Sequence, residues 1–277
     1  MLTASFSLFK GLSPSSETAL WQRGVFTWKD FRVLADRSPL SPTKRESVLR
    51  QIEEAETVLS AGLFDWFLNR LQNADKPRIY PHCRTGIRYI DIETTGYAKS
   101  DQITTIAVYD GNTPSAYVKG FNLRHFPEAL SGATILVTFN GARFDLPMLR
   151  KRFGLDLNLP HIDLLPVTRA YGYTGGLKAI EKKMGIGRGR AKDTDGREAI
   201  RLWQRFSDHG DRKALEKLLE YNTLDAVNLE AILVRLYNES MRPWPQHRNL
   251  RFPDPPAIPH RLQSLFENLK LDNHTIL

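Results

Sequence analysis

Apolar residues recur at helical spacing through the first third of the chain. They do so most regularly at Val48, Ile52, Ala55, Val58, Leu59, Leu63, Trp66 and Phe67, which predicts one long helix over residues 43–71. Shorter runs predict helices over residues 17–23 and 27–35, and Ser41-Pro42 marks the turn into the long one. Residues 73–84, with Pro77 and Pro81, read as a connector. From Gly86 the pattern changes to short β-branched and aromatic runs at 87–92, 102–109 and 115–119. The last two are separated by Asp110-Gly111-Asn112, a strong hairpin turn, so three antiparallel strands are expected. A fourth, apolar strand is predicted at 133–139. Helices are predicted over 146–153, 177–184, 197–206 and 212–241.

A sheet with helices interleaved after it indicates an α/β fold with a mixed sheet. Beyond Met241, residues 243–259 carry six of the sixteen prolines, which excludes regular helix or central strand and predicts an extended tail. A short apolar helix is expected at 261–271. The expected organisation is an N-terminal helical region and linker at 1–84, an α/β domain at 85–241 and a Pro-rich tail at 242–277.

With 277 residues and 41% hydrophobic content, the chain has ample material for a real core. No apolar stretch reaches bilayer length and residues 1–11 lack a signal layout, so a cytoplasmic protein is expected. The single cysteine, Cys83, excludes an internal disulfide, and with only His82 beside it the ligand count of a zinc site is missing. The net charge of +8 and pI near 9.6 point to an anionic partner. Nucleic acid leads, because no amphipathic helix has the broad basic face that a membrane surface would require.

The candidate chemistry begins in Tyr89-Ile90-Asp91-Ile92-Glu93-Thr94-Thr95-Gly96. In a strand Asp91 and Glu93 project to one face while Ile90 and Ile92 turn to the other. Two neighbouring carboxylates repel and resist desolvation unless a cation compensates them, although exposed acids on an edge strand would also fit the pattern. In Asn140-Gly141-Ala142-Arg143-Phe144-Asp145-Leu146-Pro147, Asp145 falls at a strand-to-helix junction, as a site ligand or a helix cap. In Tyr221-Asn222-Thr223-Leu224-Asp225, the phenol and the carboxylate are four apart and share one helix face.

The acidic pair followed by Thr94-Thr95-Gly96, then Asn-x3-Phe-Asp, then Tyr-x3-Asp, resembles the three motifs of the DEDD superfamily of 3′-to-5′ exonucleases on a ribonuclease H-like fold. The resemblance spans about residues 86–240. Phe144-Asp145-Leu146-Pro147-Met148-Leu149, His161-Ile162-Asp163-Leu164, Gly176-Leu177-Lys178-Ala179-Ile180-Glu181 and Leu219-Glu220-Tyr221-Asn222 are similar to the YprB-like group of predicted exonucleases. Tyr221, with Glu220 where the His type would carry histidine, implies the Tyr subtype (DEDDy).

The resemblance implies a ribonuclease H-like mixed sheet flanked by helices. It implies a two-metal-ion phosphodiester hydrolase using two Mg²⁺ or Mn²⁺ ions and acting on the 3′ end of single-stranded nucleic acid. It further implies that Asp91 bridges both ions, Glu93 and Asp225 hold the water-activating ion, and Asp145 supports the second. Tyr221 would orient the attacking water. A catalytically silent nucleic-acid-binding module, and an endonuclease on the same fold, are the competing readings.

Thr94 and Asn140 are further candidate nucleic-acid contacts. So are Lys182, Lys183, Arg188 and Arg190 in the Gly-rich basic stretch 178–201, where a loop could grip phosphates without reading sequence. Near the N-terminus, Phe9-Lys10-Gly11-Leu12-Ser13-Pro14 and the Trp-containing runs after it are similar to helix-hairpin-helix modules, with Ser13 in place of the second hairpin glycine. Trp21 and Trp28 are expected to pack, not to stack on bases.

Overall fold

In the computed structural model, residues 2–96, 102–154, 157–188, 195–244 and 250–255 are described. Two compact units are present, one of Met1–Arg84 with Leu233–Asp254, the other built on Thr85–Ile232. Among the described residues, no helix is long and apolar enough to cross a membrane.

The first unit opens with α1 (Pro14–Gln22) and α2 (Trp28–Leu34), each begun by a capping box, at Ser13 with Ser16 and at Thr27 with Asp30. Ser13 at the expected hairpin-glycine place is therefore a helix cap: its hydroxyl accepts from the Ser16 amide. Trp21 and Trp28 are buried, their indole N–H groups donating to the carbonyls of Ala4 and Ser5. The expected packing role of both is what the structure shows.

The single long helix predicted over 43–71 is two helices, α3 (Pro42–Ser60) and α4 (Phe64–Leu68). Gly62 adopts φ +67°, and the amides of Gly62 and Leu63 turn back to the carbonyls of Leu59 and Val58. A left-handed residue with this pair of bonds ends a helix, and apolar spacing continues across the break without revealing it. The predicted connector also holds the short helix α5 (Tyr80–Cys83). Trp28 stacks on Phe67 and lies against Phe9, so α2, α4 and the first loop share one aromatic core.

In the second unit, β1 (Ile87–Thr94), β2 (Ile103–Tyr109) and β3 (Pro114–Val118) are antiparallel neighbours, as predicted. Asp110 makes the hairpin by accepting from the amides of Asn112 and Thr113. The fourth strand, β4 (Ile135–Thr138), lies parallel to β1. A 9-residue helix, α6 (Asp145–Phe153), follows and is ended by Gly154 at φ +61°. Sequence periodicity misses β5 (His161–Asp163), parallel to β4, and α7 (Leu164–Ala170). Three residues are too few to display a two-residue period, and Pro166 inside the first turn of α7 disguises the helix.

The remaining helices, α8 (Leu177–Met184), α9 (Gly196–His209) and α10 (Arg212–Ser240), occupy the segments expected to be helical. The sheet order is β3-β2-β1-β4-β5, a five-stranded mixed sheet flanked by helices, with β1 at its centre. Ile90, Ile92, Ile106, Val108 and Leu136 fill one face together with Leu146 and Leu149 of α6. On the other face Ala116 and Val118 pack with Leu202 and Trp203 of α9 and with Leu215, Leu218, Leu219 and Tyr221 of α10.

Of the Pro-rich tail, residues 242–244 and 250–255 are described, and those up to Asp254 belong to the first unit. There Asn238 and the Phe252 backbone exchange two hydrogen bonds, and the Phe252 ring meets Tyr80 and Tyr237. Arg190 and the helix predicted at 261–271 lie outside the described residues.

Candidate active site

Asp91 and Glu93 leave β1 on the face covered by α9 and α10, because Asp91 pairs with Ala107, which pairs with Ala116, and Glu93 with Thr105, which pairs with Val118. The strand carries a bulge between Glu93 and Thr94, just after the second acid. Both carboxylates are half-buried. One turn of α10 supplies the facing groups. Tyr221 and Asp225 are both buried, four residues apart, and the phenol hydroxyl donates to the Asp225 carboxylate. One carboxylate oxygen each from Asp91, Glu93 and Asp225 lie within 4.8 Å of one another.

Asp145 stands beside this trio as the first residue of α6. Its buried carboxylate accepts from its own amide and that of Ile92, on the acid-bearing strand. The loop that delivers it is built with little tolerance. Asn140 is the only non-glycine residue with positive φ, 63°, among those described, and a Cβ on Gly141 would fall 2.1 Å from the Thr138 hydroxyl oxygen. Asp163, at the end of β5, ties the loop down. Its carboxylate accepts from the amides of Asn140 at 2.7 Å, Ala142 at 3.2 Å and Leu165 at 2.9 Å.

The electrostatics are those of anions held together by the fold. Burial, then the charges of Asp225, Glu93 and Asp145, raise the Asp91 carboxyl well above the usual range, opposed by a hydrogen bond from Asn222. Glu93 is raised by burial, Asp225 and Asp145, while Lys178 opposes the shift. Burial is also the first cause at Asp145, pushed up to about 7, and at Asp225, pushed up to about 6 against the pull of Arg188. Tyr221 is raised by burial and by the three carboxylates of the trio, so its phenol keeps its proton. A set of hard oxygen donors with this excess of negative charge fits Mg²⁺ or Mn²⁺; among the described residues no nitrogen or sulfur donor that would favour zinc belongs to it.

Four contributors carry no assigned role in the sequence reading. Asn222, fully buried, donates from Nδ2 to both Asp91 Oδ2 and the Asp91 carbonyl and accepts from the Thr105 hydroxyl. Its signal was a buried amide directly after Tyr221 on an apolar helix face. Glu181 and Asn228 form a buried pair at 2.8 Å, and Lys178 Nζ lies 5.0 Å from the Tyr221 ring centre.

Among the expected nucleic-acid contacts, Arg188 is not on an open loop. It is buried, with Nη1 donating to Glu181 at 2.5 Å and Nη2 donating to Asp225, because two carboxylates draw it inward. Thr94 is likewise buried, its hydroxyl donating to the Gly96 carbonyl. Asn140 contributes its backbone shape and amide to the loop. Lys182 and Lys183 are exposed at the end of α8, with Lys183 Nζ donating to the Thr174 carbonyl.

A family model described as RNase_H superfamily (RNase_H_2) matches residues 88–237, more than half of the chain. The chain belongs to the RNase_H superfamily. The chain is also similar to a solved structure, that of the family B DNA polymerase from the hyperthermophilic archaeon Pyrobaculum calidifontis, at 16% identity and a TM-score of 0.43. That alignment covers 58% of this chain and 26% of the polymerase. No curated protein matches. In this RNase_H superfamily member, the matched region contains the central strand β1 from Arg88 onward and all of Asp91, Glu93, Asp145, Tyr221 and Asp225.

Proposed function

We propose that the chain is a metal-dependent 3′-5′ exonuclease of the Tyr (DEDDy) type, releasing nucleotides from single-stranded nucleic acid. The observation that carries the reading is the trio Asp91, Glu93 and Asp225 with converging oxygens, and Tyr221 hydrogen-bonded to one of them. Asp91, Glu93 and Asp225 would hold Mg²⁺ or Mn²⁺, with Asp145 at the edge of the set. Such ions would supply charge stabilisation for the attacking and leaving oxygens of phosphodiester hydrolysis.

The protein's own part is positioning. Asn222 fixes Asp91, the amides of Ile92 and Asp145 fix the Asp145 carboxylate, and Tyr221 keeps Asp225 aligned while presenting its hydroxyl to the site. Because burial and neighbouring carboxylates keep the phenol protonated, Tyr221 orients a water and does not act as its base. The net charge of +8 favours an anionic substrate. A silent module would have no need to hold repelling carboxylates together, which favours the enzyme over the binding-only reading.

The test is incubation of the protein with labelled DNA and RNA single strands, blocked at the 3′ or the 5′ end, in Mg²⁺ or Mn²⁺, beside Asp91→Ala. The expected result is a ladder that shortens from free 3′ ends and vanishes in the variant. Cutting of 3′-blocked strands at internal positions would replace this reading with an endonuclease, and an identical ladder from the variant would remove Asp91 from the chemistry.

A further inference from the structure

Arg188 is the one buried cation bonded to the carboxylate cluster among the described residues, and its two bonds go in different directions. Nη2 donates to Asp225 Oδ1, one of the converging trio, while Nη1 donates to Glu181 Oε2, which lies outside it. Glu181 is itself fully buried, and its other oxygen accepts from Asn228 Nδ2 at 2.8 Å, from the same helix that carries Asp225. The Arg188 guanidinium also lies 5.4 Å from the centre of the Tyr221 ring. One planar fork thus touches the three things that set where the Asp225 carboxylate points: its oxygen, the ring of its hydrogen-bonding partner, and an anchor fixed to its own helix.

Charge alone does not account for this arrangement. A lone arginine beside the trio would repel an incoming cation and weaken the site. Glu181 cancels that positive charge in formal terms, so Arg188 does not reduce the net negative charge that Asp91, Glu93, Asp145 and Asp225 offer to divalent ions. What remains after the cancellation is geometry. Guanidinium is rigid, and its two donating nitrogens fix two carboxylates relative to each other in a way that a flexible ammonium cannot. Groups that orient a metal ligand from behind tune affinity as well as position.

We infer that Arg188, anchored by Glu181, is a positioning residue for the candidate metal ligand Asp225, holding that carboxylate in the orientation in which it meets a divalent cation. The inference rests on the metal-dependent reading above and adds to it a residue that does not touch the reacting atoms. It also reassigns Arg188 from phosphate gripping to preparation of the site.

The test uses the full chain with MnCl2 as the probe and calorimetry as the readout. In Glu181→Gln/Arg188→Met the formal charge of the cluster is conserved while the fork is lost. Apparent Mn²⁺ affinity is expected to fall about tenfold, and the Mn²⁺ concentration giving half-maximal nuclease activity should rise in parallel. Unchanged affinity overturns the inference, since cluster charge would then suffice. Tighter binding overturns it as well, because Arg188 would then be a competitor of the cation.

Arg188→Lys keeps the charge but not the fork and is expected to lose affinity to a smaller degree. It becomes the deciding variant should the double substitution fail to give a cooperative melt in EDTA, and wild-type affinity in it would then overturn the inference. A wild-type chain that binds Mn²⁺ yet degrades no nucleic acid refutes the nuclease reading and leaves the role of Arg188 standing on the affinities. A wild-type chain that binds no Mn²⁺ overturns both.

Discussion

Asn222 Nδ2 stands 2.6 Å from Asp91 Oδ2 and 3.1 Å from the Asp91 carbonyl oxygen, so one side-chain amide joins the central strand to the helix that carries Tyr221 and Asp225. Its own oxygen accepts from the Thr105 hydroxyl on the neighbouring strand, which leaves the amide no freedom to flip. Replacing it by leucine strands a buried hydroxyl and frees the Asp91 carboxylate. Asn222→Leu is expected to cost about 1–3 kcal/mol of stability in chemical denaturation. Metal-dependent activity should drop by about tenfold or more. Wild-type activity in the variant would show that Asp91 needs no such holder.

Asp91→Asn keeps the shape of the side chain and its acceptor for Asn222 while removing one of the repelling charges. Burial and the neighbouring carboxylates already push the Asp91 carboxyl well above its ordinary range, so the neutral side chain suits the metal-free fold better. The expected outcome is an inactive protein whose melting temperature in EDTA at pH 8 is higher than that of the wild type. A lower melting temperature would mean that the charge is not under strain.

Tyr221→Phe retains the ring between Lys178 and Arg188 and deletes only the hydroxyl that reaches Asp225. Turnover should fall by about 10²-fold or more, the scale of a lost positioning or proton-handling group. Mn²⁺ affinity measured by calorimetry should change much less. An equal collapse of metal binding would make the phenol part of the ligand set and not an aid to water.

The buried carboxyls give the metal-free protein an unusual pH response. Asp145 is raised to about 7 and Asp225 to about 6, chiefly by burial, whereas in the unfolded chain both titrate near the ordinary value of ~3.9. The folded form therefore holds protons that the unfolded form has released, and stability falls as pH rises from about 4 to about 7. The slope is at most about 1.4 kcal/mol per pH unit for each carboxyl. Thermal melts in EDTA should show a lower midpoint at pH 8 than at pH 5, with MnCl2 at pH 8 restoring it. A midpoint that climbs between pH 5 and pH 8 would contradict these shifts.

Much of this architecture is legible in the sequence because it repeats. Two-residue alternation around Asp91 and Glu93 locates the central strand and the face of its acids, and four-residue spacing places Tyr221 over Asp225. What escapes is what does not repeat. The three residues of β5 and the left-handed break at Gly62 are single events set by local hydrogen bonds. Arg188 is the instructive case. A basic stretch rich in glycine reads as a loop that could grip phosphates, and only folding reveals that Glu181, seven residues earlier, and Asp225, 37 residues later, converge on its guanidinium. Sequence separation hides partners whose attraction acts through space.

The Asn222 to Asp91 contact also spans 131 residues, and that separation has a kinetic meaning. Strand β1 and its hairpin can form early from local pairings, but the acidic trio stays open until α10 docks across the sheet, one of the most distant closures in the second unit. A nascent or partly folded chain thus carries the acids without the site. On the proposed reading, hydrolytic capacity would arrive only with the finished fold.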